Sequence, residues 1–371
     1  MKILFLVSSM NSGGAERVAA TLCNAWAGQG RKVVLMPTFG RPGPSFYLLD
    51  EAVQLDWLVE HQRVRSGLLA WPAKLHALRQ RIVAHQPDVV VSFLTNVNVN
   101  ALLATWGLSV PVIVCERTNP RFSRSSGRVL SWLRKLTYPR ARVVSAQTDD
   151  AATMLQHDLG LARKPAVLPN PMPPALVDQK PASLEPDAHG RMRLLALGRL
   201  VPQKQFDRLI TAFGNLASDF PDWDLWIWGE GSQREALNAQ VAQAGLNGRV
   251  LLPGRTTQPW AEMQQATAFA LTSRVEGFPN GLLEAMACGL PCVAFDCPSG
   301  PAELLEGGHA GELVPLNDMA RLEDALRRML VNPEHRQQLG RAGRDAVLRR
   351  YALPAVLGLW DDVFVEMGVR P

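Results

Sequence analysis

The chain has 371 residues, of which 47% are hydrophobic and 20% charged, and its net charge at pH 7 is +5. This length can supply two domains with separate hydrophobic cores, and the composition is that of an ordinary globular protein. No apolar run approaches the roughly 20 residues of a membrane-spanning helix, which argues against an integral membrane protein. The five cysteines show no metal-ligand spacing, so we expect buried free thiols in a reducing cytoplasm.

The positive charge is concentrated in the first half of the chain. Residues 1–170 contain 20 Lys and Arg against 10 Asp and Glu, whereas the remainder contains 19 against 24. This asymmetry predicts an anionic partner for the first half. Nucleic acid is disfavoured, because no recognition motif is present and aromatic residues make up only 7% of the chain.

Strands alternate with helices through the first half. Continuous apolar runs predict strands at 3–8, 33–38, 88–94, 110–116 and 142–147, with a first helix at about 15–29. Apolar runs without polar alternation are typical of parallel strands that are buried on both faces. The pattern therefore predicts a doubly wound parallel sheet with right-handed crossovers.

Two strand ends in this half carry candidate polar groups. Gly13 and Gly14 follow the first strand and open a helix, so their amides could approach a phosphate or a substrate hydroxyl. This turn is not the G-x-G-x-x-G of a dinucleotide site. Glu116 and Arg117 follow another strand and should lie at the carboxyl edge, where ligands bind in such sheets. Either acceptor binding or an ion pair within the loop accounts for this second pair.

Two basic segments in the first half carry interleaved apolar residues. Arg121–Arg142 contains seven basic residues and no acidic one, and it includes Trp132. Arg63–Arg81 combines Trp71 with several leucines and basic residues. Such segments suit an anionic bilayer surface, where each basic group contributes on the order of 1 kcal/mol. The alternative is that both are amphipathic helices packed on the sheet, but their presence in one half favours the membrane surface.

A proline-rich stretch from Lys164 to about His189 divides the chain. We expect domains at 1–170 and 171–352, followed by a final helix within 353–371. Strands are predicted in the second half at 193–197, 225–228, 250–253, 268–273, 292–295 and 312–314. Two successive α/β domains around a linker predict a cleft between two sheets that closes by hinge motion.

Two cations stand near the start of the second domain. Arg199 follows its first predicted strand, and Lys204 lies at the beginning of the next helix. Cations beside a helix N-terminus suit a diphosphate. Gly229 and Gly231 follow the next strand, but Arg234 occupies the place of the third glycine of a dinucleotide fingerprint. A site for NAD is therefore not indicated.

The segment from Arg274 to Pro291 combines a sharp loop with a short helix. Glycine and proline place the loop before residue 282, and the predicted N-cap of the helix is Asn280. Glu276 and Glu284 flank the helix start, whose unpaired amides attract an anion. A nucleotide sugar, with hydroxyls on both sides of a diphosphate, matches this arrangement. The alternative is two surface glutamates around a helix cap.

These motifs resemble those of the family 4 retaining glycosyltransferases. The likeness is most specific at 197–209 and at 276–293, where Glu276 and Glu284 form a Glu-x7-Glu motif, and it extends over nearly the whole chain. The resemblance implies the GT-B fold, an α/β architecture of two Rossmann-like doubly wound parallel-sheet domains facing a central cleft. It further implies that the first domain binds the acceptor, that the second binds the donor, and that the final helix crosses back to the first.

The family resemblance also assigns roles to individual residues. Glu276 would orient the transferred sugar, while Arg199 and Lys204 would stabilise the leaving diphosphate. The other donor-side residues are Gly229, Gly231, Gly254, Arg255, Phe278, Pro279, Asn280, Gly281 and Glu284. The acceptor-side residues are Gly13, Gly14, Glu16, Arg17, Glu116 and Arg117. This chain departs from the family at Gln205, where glycine is usual, and at Glu116 and Arg117, where many relatives have a histidine-containing segment.

We therefore expect a retaining enzyme that moves a hexose or N-acetylhexosamine from a UDP-sugar to a lipid-linked saccharide in cell-surface glycan assembly. No cofactor and no metal are expected, and Asp222-Trp-Asp224, formally a D-x-D metal motif, is interpreted as a turn into a strand. The enzyme would work in the cytoplasm, peripherally at the inner face of a bacterial membrane.

Three rival interpretations remain. One is a nucleotide-sugar isomerase or epimerase of the same fold, and another is a non-catalytic membrane-binding module. A glycosidase that uses Glu276 and Glu284 as its carboxylate pair is the third, but it leaves Arg199 and Lys204 without a role.

Overall fold

The computed structural model describes residues 1–118 and 127–369, so residues 121–126 of the first basic segment lie outside the described part. The chain forms two compact units. One consists of Met1–Asn170 together with Val356–Pro371, and the other is Pro171–Ala355. Each is a parallel sheet with helices, which confirms the predicted α/β architecture of two Rossmann-like domains.

The first unit is built on a seven-stranded parallel sheet. Its strands are β1 Lys2–Val7, β2 Lys32–Pro37, β3 Val53–Leu55, β4 Val89–Phe93, β5 Val112–Cys115, β6 Val143–Ala146 and β7 Ala166–Val167. Its helices are α1 Gly14–Gly28, α2 Ala70–His85, α3 Thr95–Ala104, α4 Arg128–Thr137 and α5 Asp149–Leu159. The strand order β3-β2-β1-β4-β5-β6-β7 reverses direction between β1 and β4, which creates a topological switch point there.

The second unit contains a six-stranded parallel sheet. Its strands are β8 Met192–Leu197, β9 Trp223–Trp228, β10 Val250–Gly254, β11 Ala268–Leu271, β12 Cys292–Asp296 and β13 Glu312–Pro315. Its helices are α6 Phe206–Leu216, α7 Arg234–Gln243, α8 Pro259–Gln264, α9 Asn280–Ala287, α10 Pro301–Leu304, α11 Met319–Val331 and α12 Pro333–Tyr351. The order β10-β9-β8-β11-β12-β13 places the switch point between β8 and β11.

Two strands were not predicted from the sequence. The first, β3, has only three residues, too few for a periodic signal. The second, β7, lies within the proline-rich stretch and pairs with β6, with Ala166 opposite Ser145. The prediction that the linker begins at Lys164 is therefore wrong, because residues 166–167 belong to the first sheet.

The last helix, α13 Leu353–Glu366, supplies core residues to the first unit. Its Trp360 packs edge-on against Trp26 of α1, with ring centroids 5.3 Å apart, and both side chains are fully buried. Arg31, which follows α1, forms an ion pair with Asp361 at 2.6 Å. The first unit is thus assembled from both ends of the described chain.

The five cysteines are buried and free, as the sequence predicts. Burial is the main cause that raises the pKa of the Cys115 thiol to about 11, which keeps it protonated near neutral pH. Within the described parts of the chain, no helix has the length and apolar composition needed to cross a bilayer.

Asp56, directly after β3, holds a buried charge cluster together. Its carboxylate contacts His85 and Arg81 at 2.7 Å each and His61 at 2.8 Å. Burial alone would raise the pKa of Asp56, but hydrogen bonds from His85, Arg81 and His61 outweigh it and leave the pKa below its ordinary value. Because the folded pKa is below the unfolded one, this carboxylate stabilises the fold above the unfolded pKa, and the contribution is lost as pH falls through the folded pKa.

We expect Asp56→Asn to lower the free energy of unfolding at pH 7 by about 1.5–3 kcal/mol, because hydrogen bonds to a charged group are lost. The measurement is urea denaturation at several pH values, with the exposed Glu51→Gln as the control. The difference between native chain and variant should shrink as the pH is lowered below 4. A difference that stays constant with pH would contradict this role.

Candidate active site

The switch point of the second sheet brings together two side chains that are 72 residues apart in sequence. Lys204 lies in the loop after β8, and Glu276 lies in the loop after β11. The Lys204 ammonium contacts Glu276 Oε1 at 2.5 Å, and the two side chains are only 18% and 10% exposed. Because β8 and β11 are neighbours, the carboxyl ends of both strands open at the same point of the edge.

Backbone and side-chain hydrogen bonds hold these two loops in register. The Arg274 amide donates to the Gln203 carbonyl at 2.8 Å, and Gln203 Nε2 donates to the Val275 carbonyl at 2.7 Å. The Thr272 hydroxyl donates to the carbonyl of Lys204 at 3.1 Å. The position of the Lys204–Glu276 pair is therefore fixed by its surroundings as well as by its own charge.

Arg199 lies at the same edge and is exposed. In the residues that the structure describes, its side chain has no ion pair and no hydrogen bond. Its loop packs against the loop after β9, where the Leu200 amide donates to the Glu230 carbonyl at 2.9 Å. A guanidinium in this position can receive an anionic group from solvent.

Gly229 and Gly231 make that loop contact sterically feasible. A Cβ at Gly229 would overlap the carbonyl oxygen of Gly198, and a Cβ at Gly231 would overlap that of Leu200. Gly229 also has φ near +154°, a backbone angle that residues with a side chain rarely adopt. Both residues were predicted as donor-binding, and the structure shows that they position the loop that carries Arg199.

Gln205 follows Lys204 in the left-handed region, with φ of 50° and ψ of 41°. It separates the short turn Pro202–Lys204 from α6. A glycine adopts this conformation without the steric cost that a Cβ brings. Gln205 thus takes, at the place where glycine is usual, a conformation that glycine adopts at lower cost.

The helix after the second loop begins at Asn280. Its N-cap is Pro279, whose side chain cannot accept a hydrogen bond, so the prediction of Asn280 as N-cap is wrong by one residue. In its first turn the Asn280 amide donates to the Phe278 carbonyl at 2.9 Å, and the Leu282 amide donates to the Pro279 carbonyl at 2.9 Å. The Gly281 amide lies between them, at the start of the helix that follows the loop carrying Glu276.

Glu284 is buried in the second turn of α9 and is 5% exposed. Its Oε2 accepts a hydrogen bond from Trp260 Nε1 of α8 at 2.9 Å. Sequence reasoning missed Trp260, because the contact joins two short helices 24 residues apart and no local pattern marks it. The bond fixes one carboxylate oxygen and thereby orients the other.

The remaining donor-side candidates divide into backbone and side-chain positions. Phe278 is buried against Tyr351, with ring centroids 5.8 Å apart, so its side chain belongs to the core. Gly254 ends β10 with φ near +107°, and its carbonyl accepts from the Gly229 amide at 2.7 Å. Arg255 follows and is exposed.

The D-x-D sequence at 222–224 is a turn into β9, as predicted. Asp224 pairs with Arg191 and, at 3.2 Å, with Arg249. Among residues 1–118 and 127–369, no group of three or more His, Cys, Asp or Glu side chains could hold a metal ion.

In the first unit, Glu16 lies over the turn that follows β1. Its Oε1 accepts from the Ser9 hydroxyl at 3.0 Å, and its carboxylate occupies the space beside Gly13. The Tyr47 hydroxyl accepts from the Gly13 amide at 3.1 Å and donates to the Gly13 carbonyl at 2.9 Å. The Gly13 amide is therefore engaged, and the nearby carboxylate suits a hydroxyl better than a phosphate. Gly14 and Arg17 lie in the first turn of α1.

Glu116 and Arg117 contact different groups and do not pair with each other, while residues 119–126 of the predicted loop lie outside the described part of the chain. Glu116 is buried and accepts from the Tyr138 hydroxyl at 2.5 Å and from the Thr95 hydroxyl at 2.8 Å. Burial raises its pKa above the ordinary value. Arg117 stacks on Phe93, with its guanidinium carbon 4.1 Å from the ring centroid, and donates to Asn170.

We expect Gly231→Ala to lower the free energy of unfolding by more than about 1 kcal/mol, because the new methyl group overlaps the Leu200 carbonyl. The measurement is thermal and urea denaturation of the full chain. The control is Gly358→Ala in α13, where a Cβ meets nothing within 4 Å, so that stability should hold or rise. Equal stability of the two variants would contradict the steric account.

Two family models match the chain. The model described as Glycosyltransferase Family 4 matches residues 12–176, and the model described as Glycosyl transferases group 1 matches residues 185–346.

Among curated proteins, the chain is 27% identical to an exopolysaccharide phosphotransferase of Streptomyces coelicolor, over all of this chain but only 41% of that protein. It is 26% identical to a Campylobacter jejuni protein over 91% of both chains. That protein is named GalNAc-alpha-(1->4)-GalNAc-alpha-(1->3)-diNAcBac-PP-undecaprenol alpha-1,4-N-acetyl-D-galactosaminyltransferase.

Among solved structures, Anabaena Alr3699/HepE in complex with UDP-glucose superposes with a TM-score of 0.79, at 20% identity and 99% coverage of both chains. This likeness concerns the fold, which is that of the GT-B glycosyltransferases. One assignment accounts for the two family matches, for the parallel sheets and for the Glu276–Glu284 segment. The chain belongs to the family 4 glycosyltransferases.

Proposed function

We propose that the protein transfers a hexose or N-acetylhexosamine from a UDP-sugar to a lipid-linked saccharide acceptor, with retention of anomeric configuration, in bacterial cell-surface glycan assembly. The observation that carries the proposal is the group formed at the β8–β11 switch point. There the Lys204–Glu276 pair, an exposed Arg199 and the start of α9 lie at one sheet edge, with Glu284 held by Trp260.

The charges at this edge match the parts of a nucleotide sugar. Arg199, Lys204 and the Gly281 amide at the start of α9 suit a diphosphate. Glu276 and Glu284 suit hydroxyls on its two sides, the transferred sugar at one and the ribose at the other. The similarity to a structure that contains UDP-glucose supports a UDP-sugar donor.

In the proposed reaction, an acceptor hydroxyl attacks C1 of the sugar from the face on which the diphosphate leaves. The new bond joins the acceptor oxygen to C1, and the bond between C1 and the diphosphate oxygen breaks. The hydroxyl proton passes to that leaving oxygen, so no enzymic base is required. Glu276 orients the sugar, and it needs no covalent role.

Negative charge develops on the leaving diphosphate during this step. We propose that Arg199, Lys204 and the Gly281 amide stabilise this charge, and the proposal requires no metal ion. Removal of one preorganised donor of this kind typically costs about 3–4 kcal/mol in the barrier.

The acceptor side is proposed for the first unit, where Glu16 and Ser9 offer hydrogen-bonding groups at the β1 edge. A lipid-linked acceptor agrees with the undecaprenol-containing name of the Campylobacter relative. Large apolar side chains are exposed on α2 and α4 and in the turn before α2, at Leu68, Leu69, Trp71, Val129, Trp132 and Leu136. Because basic residues flank them, we propose peripheral attachment to the anionic inner face of the cytoplasmic membrane.

Calorimetric titration with UDP, GDP and ADP tests the donor site. We expect UDP to bind, Glu284→Ala to weaken binding about 10–100-fold, and Trp260→Phe to weaken it about 3–10-fold, since each removes hydrogen bonds to or from a buried carboxylate. The exposed Glu235→Gln serves as the control. Preference for GDP or ADP would change the donor and keep the reaction, whereas no binding of any nucleotide would refute the transferase proposal.

Flotation with vesicles tests the membrane proposal. We expect the chain to bind vesicles that contain anionic lipid, to be released by high salt, and to bind several-fold less after Trp132→Ser and Leu136→Ser together. The control is Val331→Ser, an exposed apolar residue of the second unit. Equal binding to neutral and anionic vesicles would exclude the electrostatic part of this proposal.

A further inference from the structure

Lys74 is an unusual buried cation in the first unit. It lies in the second turn of α2 and is 8% exposed. Its Nζ lies 2.7 Å from the centroid of the Phe39 ring, which follows β2. Over the described residues, the Lys74 side chain has no ion pair and no hydrogen bond.

An ammonium that is removed from water without a counter-charge is costly, and contact with an aromatic face replaces only part of the lost hydration. Burial lowers the pKa of Lys74 to about 7, and burial is the sole cause of the shift. No carboxylate is therefore close enough to hold the charge.

The charged groups on neighbouring elements are engaged elsewhere or face solvent. Asp56 is hydrogen-bonded to His61, Arg81 and His85, and Glu16 accepts a hydrogen bond from the Ser9 hydroxyl. The other ionisable residues on α2 and on the segments beside it are Arg41, Glu60, His61, His76, Arg79, Arg81 and His85. None of them lies within ion-pair distance of Lys74.

Lys74 lies near the edge at which ligands bind in such sheets. The α2 helix leads into β4 at its far end, so its first turns lie at the carboxyl edge. The Phe39 amide donates to the Ser8 carbonyl at 2.7 Å, and the Phe46 amide donates to the Met10 carbonyl at 2.9 Å. The segment that carries Phe39 is thus packed along the turn after β1, next to the switch point.

We propose that Lys74, together with Phe39, forms a subsite for a phosphoryl group of the acceptor. The proposal rests on the proposed function, in which this unit receives the acceptor. A phosphoryl group supplies the negative charge and the hydrogen-bond acceptors that the protein itself does not provide around this ammonium. The Glu16 carboxylate at the adjacent turn is left to bind hydroxyls.

Binding should be coupled to protonation of Lys74. A bound phosphoryl group favours the charged ammonium, so its pKa rises on binding and protons are taken up above pH 7. About one free Lys74 in 100 is protonated at pH 9, so affinity should fall by up to about 100-fold between pH 6 and pH 9. Lys74→Arg keeps the charge at every pH and should lose this dependence, while Lys74→Met should bind weakly throughout.

The experiment follows the side-chain NMR signal of Lys74 in the full chain labelled with 13C-lysine. The pH titration of this signal is recorded for the chain alone and is repeated in the presence of farnesyl diphosphate, inorganic pyrophosphate or farnesol. We expect the phosphorylated probes to raise the midpoint of the Lys74 titration, and farnesol to leave it unchanged. A shift with farnesyl diphosphate alone assigns a lipid-borne group, and an equal shift with pyrophosphate assigns a phosphoryl site without lipid recognition.

Lys164→Met, an exposed lysine of the same unit that pairs with Asp149, is the control and should leave probe binding unchanged. The inference is overturned if neither phosphorylated probe moves the Lys74 titration, or if Lys74→Met binds farnesyl diphosphate as tightly as the native chain. UDP binding to the second unit is measured in parallel and should be the same in Lys74→Met. If the native chain does not bind UDP, the proposed function is refuted. If UDP binds normally but no phosphorylated probe shifts the midpoint of the Lys74 titration, only this subsite is refuted.

Discussion

The ion pair between Lys204 and Glu276 is the interaction on which the organisation of the proposed donor site depends. It joins the two loops that flank the β8–β11 switch point, and it is largely shielded from water. A partly buried charge of either sign requires its partner, because removal of one member leaves the other uncompensated. The pair therefore keeps a cation and a carboxylate in place before any ligand arrives. An incoming diphosphate can share the Lys204 ammonium, and this sharing leaves Glu276 free to accept hydroxyls from the sugar.

Net charge and local charge give opposite impressions of the two units. The first half of the chain is strongly basic, yet the turn after β1 presents the Glu16 carboxylate and its strand edge buries Glu116. The second half is net acidic, yet its candidate site is centred on Arg199 and Lys204. The balance of charges in a sequence describes the outer surface, whereas the sign of a site is set by the few residues at the strand ends. Part of the basic excess of the first unit lies on α2 and α4, which also carry the exposed Trp71, Trp132 and Leu136 side chains.

Most of the architecture could be predicted from the sequence, because buried parallel strands give continuous apolar runs and loops carry glycine or proline. The strand ends and the helix that follows β11 also marked Arg199, Lys204, Glu276 and Glu284 as candidate site residues. Their pairing could not be predicted, since it depends on which strands become neighbours. Trp260, Tyr47 and Lys74 were missed for the same reason, as each acts through a non-local contact. The start of α9 was misplaced by one residue, because Pro279 takes the cap position without supplying a side-chain acceptor.

The connectivity of α13 has a consequence for the order of folding during synthesis. Residues 171–355 are continuous, so the second unit is complete in sequence before the first unit receives its last helix. Until then, the Trp26 side chain lacks the cover that Trp360 and Phe364 provide, and Arg31 lacks Asp361. The unit that is translated first is thus the unit that finishes last. Its apolar α1 surface remains open to chaperones, or to wrong partners, for the time needed to translate the other unit.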